Sequence, residues 1–525
     1  MPRPMTDSIP DLAARFAEIV GNANVLVDEE SRREFSQDLI QWDSAEQIAL
    51  VARPANAAEV AAAVKLATAC GLAIAPRGGG LSYTQGYVPL TNRCVALDLS
   101  RLDAIHELNA DDLFISVGAG ATWQQVVDAT RPAGLRPVLR GPISGSHSTV
   151  GGAASQGILG PTDGFLSFEV VLADGRMITT GTGASRRSSP FYRQFGPDLT
   201  GLFTGDSGAF GIKTRITLKL EKPPQGLAMA SFSFPTLSAM VAAIVAITRL
   251  NLVPRLFGMD PLKTRMASKV DVVEAGRTLG SIITGRGSVM RGLSDALSVM
   301  RSGRGALDHV DWGLHVHAEG INQAAADAAL AAVRDICGRN GIEVSPNIAI
   351  ALNARPYSIR GFVGLEGERF VPIHAIFPLS RATAAAARVE QFFADNQKLF
   401  EEQHITTCCL AGMEHGVFVI EPMFYWPDEL GPLHRRYLPP DKFARLNRGR
   451  ANPEGRRIVI GLREQLRQIF FELGAIHGQI GKYYDFVGAV QPAVYDLLTG
   501  IKRLLDPECR LNPGNFGWSP VSTRG

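Results

Sequence analysis

Three consecutive glycines, Gly78, Gly79 and Gly80, stand just behind the apolar run at 72–75 and ahead of LSYTQG. Lacking Cβ atoms, such a stretch can turn so that several backbone N–H groups converge, a nest suited to phosphate oxygens. A loop that merely needs freedom would use the same residues. Neither GxxxxGK[ST] nor GxGxxG is matched, which disfavours a Walker loop and a Rossmann dinucleotide turn. A second run, GPISGSHSTVGGAASQGILG at 141–160, holds six glycines and five hydroxyl residues. So many small residues are costly in conformational entropy unless something approaches the backbone closely, as a flat or extended ligand would. A third, LFTGDSGAFGIKTRITLKL at 202–220, sets Gly208 and Gly211 before a strand, where a ligand could lie across its start.

These turns sit in a pattern that predicts an α+β unit over 45–225. Asn56 is placed to cap a helix over 57–68 ended by Gly71, and 72–75 and 94–97 read as strands. The run 114–117 reads as a strand broken by Gly118 and Gly120, with Thr122 opening a helix. Asp174-Gly175, between strands at 168–172 and 177–180, favours positive φ and signals a hairpin. Residues 212–220 alternate as a half-buried strand does. EKPPQG at 221–226 interrupts any regular element, because proline cannot donate to a ladder. The expected divisions are therefore 1–225, 226–475 and 476–525. The middle part reads as its own layer, with a strand at 230–234 and a helix over 322–340; the last returns to a helix at 493–505.

Over 525 residues, 46% hydrophobic and 20% charged are ordinary globular values, which exclude a disordered or fibrous chain. The 53 basic and 51 acidic residues leave a net charge of only +2 with no dense Lys/Arg block, so nucleic acid is not an expected partner. The opening MPRPMTDSIPDLAARF lacks the apolar stretch of a signal peptide. No run of about 18 apolar residues occurs, and the most apolar stretch, 240–247 between Pro235 and Arg249, suits a buried helix. No membrane span is expected. Cys70, Cys94, Cys337, Cys408, Cys409 and Cys509 form no CxxC pair, which fits the reduced thiols of a cytoplasmic protein.

Taken in order, PRGGGLS, STVGGAASQG, SGAFGIKTRITLKL and, near the C-terminus, LNPG resemble the vanillyl-alcohol oxidase and p-cresol methylhydroxylase family of FAD-linked oxidoreductases, which includes FAD-dependent D-lactate and glycolate dehydrogenases. The resemblance covers 45–222 and 470–516 and is faint between them. It implies an α+β fold: a two-subdomain FAD-binding domain of the p-cresol methylhydroxylase type, built from both chain ends, and an α+β cap domain that covers the isoalloxazine and shapes the substrate pocket. On matching positions it implies Pro76, Arg77, Gly78, Gly79, Gly80, Leu81 and Ser82 as a pyrophosphate loop. Thr149, Gly151, Gly152, Ser155 and Gly157 would run beside the ribityl chain and ring, Gly211 and Ile212 on the adenine side, with Gly141 and Asn512 as further contacts. Leu81 stands where many members carry the His that bonds to the flavin, and 149–160 holds no Cys. FAD is therefore expected to be non-covalent unless a cap residue supplies the bond.

The activity implied is oxidation of a hydroxyl-bearing carbon, of a phenolic or aromatic alcohol, by hydride transfer to flavin N5. The alternative is a D-lactate- or glycolate-like 2-hydroxy acid dehydrogenase: GAIHGQIGKYYDF at 474–486 resembles the EHGIG element of those members, with Ile476 in place of the Glu. His477 is the expected base, because an imidazole titrates near neutral pH, with Tyr483 or Tyr484 as second choice. Both tyrosines, beside Lys482, would suit a phenolate and would equally serve as packing residues with satisfied tips. Ser155 stands near the position of the acid used in phenol chemistry. Arg355 and Arg360 are cap candidates for a carboxylate, and Glu414, His415 and Tyr425 for other substrate contacts. Tyr425 lies in the aromatic run 424–426, which suits a core or a lid. His315 and His317 share one face of a strand, as a metal pair or two ordinary hydrogen-bonded residues would; no metal site is assigned. Reduction by a nicotinamide, as in related enolpyruvyl reductases, and a flavin-holding protein without turnover are the remaining readings. The expected partner is a small-molecule substrate; the electron acceptor is open between oxygen, a cytochrome and a quinone, and the family allows a homodimer.

Overall fold

The computed structural model describes residues 8–40, 46–158, 160, 163–268, 310–357 and 362–519. They divide into two units. One takes the residues up to Lys222, Gly431–Tyr437 and those from Gly478 onward; the other takes Pro223–Leu430 and Leu438–His477. The first unit thus draws a seven-residue piece from the stretch that the sequence places wholly in the middle segment.

Local rules account for the elements of the first unit. Asn56 Oδ1 accepts from the N–H of Glu59 at 2.9 Å and starts helix Ala57–Ala69. Its Val60, Ala63, Val64 and Ala67 enter a core with Leu12, Phe16 and Val20 of helix Ile9–Val20 and with Leu50, Ile74, Val95 and Leu97 of a sheet. Each fully buried Val, Leu, Ile or Phe contributes roughly 1.5–3 kcal/mol. Among the described residues that sheet has four strands in the order Val25–Leu26, Leu50–Ala52, Cys94–Asp98, Ala73–Arg77, the last three parallel. Unbroken burial along Leu50–Ala52 and Cys94–Asp98 is what parallel strands covered on both faces require. The C-terminal segment joins the same edge: the N–H of Ile74 donates to Arg510 O, and that of Asn512 to Ile74 O, both at 2.8 Å. Buried Lys502, on helix Pro492–Leu505, fastens this return by donating to Asp506, Ala209 O and Leu511 O.

The unit's second sheet is antiparallel, in the order Ile105–Asn109, Phe114–Gly118, Ile212–Glu221, Phe165–Val171, Met177–Thr179. Its Asp174-Gly175 turn has φ +79° at Gly175 and is closed by Asp174 Oδ1 accepting from Arg176 N. Helix Val150–Gln156, capped by Thr149, presses close to the chain beyond Phe114–Gly118, and a Cβ on Gly151 would lie 2.7 Å from Ala119.

The second unit is built on an antiparallel sheet that, among the described residues, has eight strands. The order is Ile342–Val344, Gly226–Phe234, Trp312–Gly320, Arg255–Met259, Thr406–Glu414, Val417–Trp426, Arg369–Pro372, with Ala375–Phe377 also on Val417–Trp426. Burial alternates over the first half of Val417–Trp426, with Phe418 and Ile420 buried and Val417, Val419 and Glu421 half-buried, and is unbroken from Pro422 to Trp426. Helices Leu237–Arg249, Gln323–Cys337 and Ala382–Asp395 pack on this sheet. No described helix is long and apolar enough to cross a membrane.

Candidate functional site

Within the first unit, the end of strand Ala73–Arg77, the start of helix Val150–Gln156, the start of strand Ile212–Glu221 and the C-terminal return enclose a cleft of about 1040 Å3, its mouth included. Of the residues singled out in the sequence, Pro76 through Ser82, Thr149, Gly151, Gly152, Ser155, Gly211, Ile212 and Asn512 line it. Gly141 and Gly157 do not. A Cβ on Gly141, at φ +69°, would sit 2.4 Å from the Trp123 ring, and Gly157, at φ +65°, ends helix Val150–Gln156 against Gly205. Glycine at those two positions is required by turn geometry and packing.

The loop after Arg77 is seated flush. A side chain on Gly78 would meet Thr149 Oγ1 at 2.2 Å, and one on Gly79 the carbonyl of His147 at 2.3 Å. Gly80 adopts φ +66°, the left-handed region, with the Arg77 guanidinium 2.5 Å from where its Cβ would be. Arg77 itself is 3% exposed. Its Nη1 donates to Glu34 O at 2.9 Å, and its guanidinium lies 4.5 Å from the Phe35 ring centre and 5.0 Å from that of Tyr87. Among the described residues, Nη2 is buried with no hydrogen-bond partner. A buried cation held by one carbonyl and two ring faces lacks the anion that normally offsets desolvation. The pyrophosphate of FAD would supply it, at a wall where glycine lets backbone N–H groups come close. The residues present therefore fit that cofactor.

Beside Ser155, the cleft is lined by Lys213, Ser207 and Gln156, which the sequence alone does not single out. Lys213, 2% exposed, donates to Asp206 Oδ1 at 2.6 Å and to Ser155 Oγ at 3.1 Å. Burial pushes the Asp206 carboxyl up and the Lys213 ammonium down, each opposed by the charge of the other. Among the described residues, Asp206 Oδ2, Ser207 Oγ and Gln156 Oε1 are buried without hydrogen-bond partners. Ser155, Gln156, Ser207 and Lys213 all line the cleft, so this end offers polar atoms to a polar part of a ligand. Strand Ile212–Glu221 is buried except at Arg215, Lys219 and Glu221, and does not alternate as its sequence suggests, so Lys213 is enclosed, with the Asp206 turn seven residues earlier and Ser155 taking its hydrogen bonds.

The C-terminal return closes the cleft with Gln479 and Asn512. Gln479 N donates to Gln156 O at 2.9 Å, and Asn512 Nδ2 to Ser207 O at 2.6 Å. Lys482 is half-buried with Nζ on the carbonyls of Gln85 and Gly86, and desolvation lowers it to about 7. Tyr484 is buried with its ring edge-on to Tyr483 at 4.9 Å, and neither lines the cleft.

The remaining candidates lie in the second unit. His477 Nδ1 donates to His374 O at 2.8 Å, since a carbonyl can only accept, which leaves Nε2 as the lone-pair nitrogen. Burial lowers His477 to about 4, and the Arg467 and Arg463 charges add to the effect. His315 is 1% exposed, shares a 2.8 Å hydrogen bond between Nδ1 and Ser231 Oγ, and is lowered to about 3 by burial, so its ring is neutral. Phe257 lies 5.2 Å from the His315 ring and 6.2 Å from that of buried His317. Tyr425 is 2% exposed and accepts from Lys263 Nζ at 2.6 Å. Glu414 and His415 are exposed at a hairpin whose His415 and Gly416 have φ +46° and +83°. Arg355 follows helix Asn347–Ala354, and Arg360 lies outside the described residues.

Residues 48–181 match a family profile described as an FAD binding domain. The chain is 28% identical over 232 residues to 1'-carboxy-chondrochloren decarboxylase of Chondromyces crocatus, covering 42% of each. It is 29% identical over 227 residues to D-lactate dehydrogenase of Archaeoglobus fulgidus, covering 42% of this chain and 49% of that one. The alignments thus span about half the length of these curated relatives. Among solved structures, 4-ethylphenol oxidase from Gulosibacter chungangensis superposes with a TM-score of 0.73 at 18% identity, over 99% of both chains. p-Cresol methylhydroxylase superposes with a TM-score of 0.71 at 16% identity, over 97% of both chains. The chain shares their fold.

Proposed function

We propose that this chain, which carries an FAD-binding domain over residues 48–181, is an FAD-dependent oxidoreductase that oxidises a hydroxyl-bearing carbon of a phenolic or aromatic alcohol. The observation that carries the cofactor assignment is Arg77, a buried guanidinium without an anion, placed behind a glycine loop at the wall of the cleft. Bound there, FAD supplies a two-electron acceptor for a hydride from the substrate carbon, while the protein supplies orientation and proton transfer. Arg77 and the loop N–H groups would hold the pyrophosphate, Thr149 and Ser155 would contact the ribityl part, and Lys213 would present its charge at the polar end of the cleft.

His477 takes the hydroxyl proton on Nε2, the tautomer being set by the hydrogen bond from Nδ1 to His374 O. An imidazole must be neutral to accept a proton, and with a value of about 4 His477 is neutral throughout the neutral range. The rate of flavin reduction is therefore expected to be flat around neutral pH and to fall on acidification toward 4. His477→Gln should retain FAD while reducing it about 10²- to 10⁴-fold more slowly. An inflection near the ordinary imidazole value, or unchanged reduction in the variant, would remove His477 from this role.

Correspondence of the whole fold with 4-ethylphenol oxidase supports the phenolic substrate class. The D-lactate dehydrogenase relative supports a second reading, a 2-hydroxy acid dehydrogenase. Anaerobic mixing of the holoenzyme with phenolic alcohols and, separately, with D-lactate and glycolate decides between them. Loss of visible flavin absorbance with the phenolic compounds alone is the expected result. Bleaching only by the acids selects the second reading, and bleaching by neither rejects both.

A further inference from the structure

We propose that Tyr437 and Tyr87 brace the glycine loop by its carbonyls, making Tyr437 a positioning residue for the pyrophosphate of FAD. The inference rests on reading that loop as the pyrophosphate site. Tyr437 ends Gly431–Tyr437, which belongs to the first unit although the residues on both sides of it belong to the second. It is buried, and its hydroxyl donates to the carbonyl of Gly79, 358 positions away. The Tyr87 hydroxyl donates to the carbonyl of Gly80 at 2.7 Å, with Ser82 O sharing the same proton at 3.1 Å.

In a trans peptide the C=O of one residue and the N–H of the next point in opposite directions. Holding the Gly79 and Gly80 carbonyls on the tyrosine side therefore turns the N–H groups of Gly80 and Leu81 away from it. The left-handed φ of Gly80 lets successive N–H groups face one concavity. Among the described residues, no hydrogen bond uses the N–H of Gly79, Gly80, Leu81 or Ser82, and all four residues line the cleft with Arg77. Unsatisfied donors beside a buried guanidinium are the counterpart of a diphosphate.

Tyr437 is itself well anchored. Its ring meets His147 edge-on at 5.0 Å, and the adjacent Arg436 pairs with Glu34 at 2.7 Å and lies 5.6 Å from the Phe35 ring, the same ring that Arg77 covers. Burial raises both phenols, so each remains a donor.

Tyr437→Phe removes one oxygen and keeps the ring. Titrating the apoprotein with FAD, ADP and riboflavin separates phosphate recognition from general packing. Loss of one such hydrogen bond is expected to weaken FAD and ADP about tenfold alike, with riboflavin affinity and the melting temperature of the apoprotein unchanged. Tyr87→Phe should show the same selectivity through the neighbouring carbonyl. Equal weakening of riboflavin, or undiminished FAD and ADP binding in both variants, overturns the brace while leaving the cofactor assignment standing. A parent protein that takes up no FAD overturns the cofactor assignment and the brace with it.

Discussion

An Arg77→Met variant is expected to bind FAD about two to three orders of magnitude more weakly and yet, as apoprotein, to melt no lower than the parent. The two halves of that result come from opposite sides of the same balance. Without an anion, the 3%-exposed guanidinium has one carbonyl and two aromatic faces to offset its desolvation. Cation–π contacts return about 2 kcal/mol each when desolvated, whereas burying an ion costs several. A methionine of similar length, packed against Phe35 and Tyr87, carries no such cost. With the diphosphate present the balance reverses, because a buried hydrogen-bonded charge pair that loses one member typically costs about 2–5 kcal/mol of affinity. Titration of the apoprotein with FAD, followed by flavin fluorescence, gives the first half, and a melting curve the second. Full FAD affinity in the variant would refute the assignment of the cleft, and a large drop in apoprotein melting would mark Arg77 as a structural residue.

Asp428→Ala is expected to destabilise the second unit by about 3–5 kcal/mol, the usual consequence of removing one member of a buried ion pair. Asp428 is 2% exposed and Arg369 not exposed at all. Its carboxylate accepts from Arg456 Nε at 2.6 Å and Nη2 at 3.0 Å, from Trp426 Nε1 at 3.1 Å and from the N–H of Asn452 at 2.9 Å, and Arg369 Nη1 lies 3.7 Å away. One side chain thus joins the end of strand Val417–Trp426 to the start of helix Pro453–Glu472 while facing two guanidinium groups. Thermal denaturation should show a transition lowered on the order of 10 °C. A transition shifted by no more than a degree or two would show that the site relaxes and that water replaces the carboxylate.

The elements of both units were largely legible. Asn56, Thr122 and Asn322 cap helices through hydrogen bonds that span three residues, and Asp174-Gly175 turns where its positive φ demands. The three glycine-rich runs do converge on one cleft. Their glycines, however, serve more than one purpose. Of the six between 141 and 160, Gly151 and Gly152 line the cleft, while Gly141 faces the Trp123 ring and Gly160 would meet Leu139 at 2.1 Å. Entropy that was assigned to a ligand is offset there by close protein packing. His415 and Gly416 form a two-residue hairpin loop closed by the pairing of Glu414 with Val417.

The chain's sequence alone determined where helices and strands begin, where the backbone must turn, and that small residues gather in an order shared with FAD enzymes. Those features depend on hydrogen bonds and steric limits within a few residues, which adjacent letters specify. Only the tertiary structure decided which charges are stripped of water: Arg77 between Phe35 and Tyr87, Lys213 against Asp206 and Ser155, and a tyrosine 358 positions away on the carbonyl of Gly79. Desolvation is a property of everything packed around a group, and those neighbours come from parts of the chain that no local pattern connects.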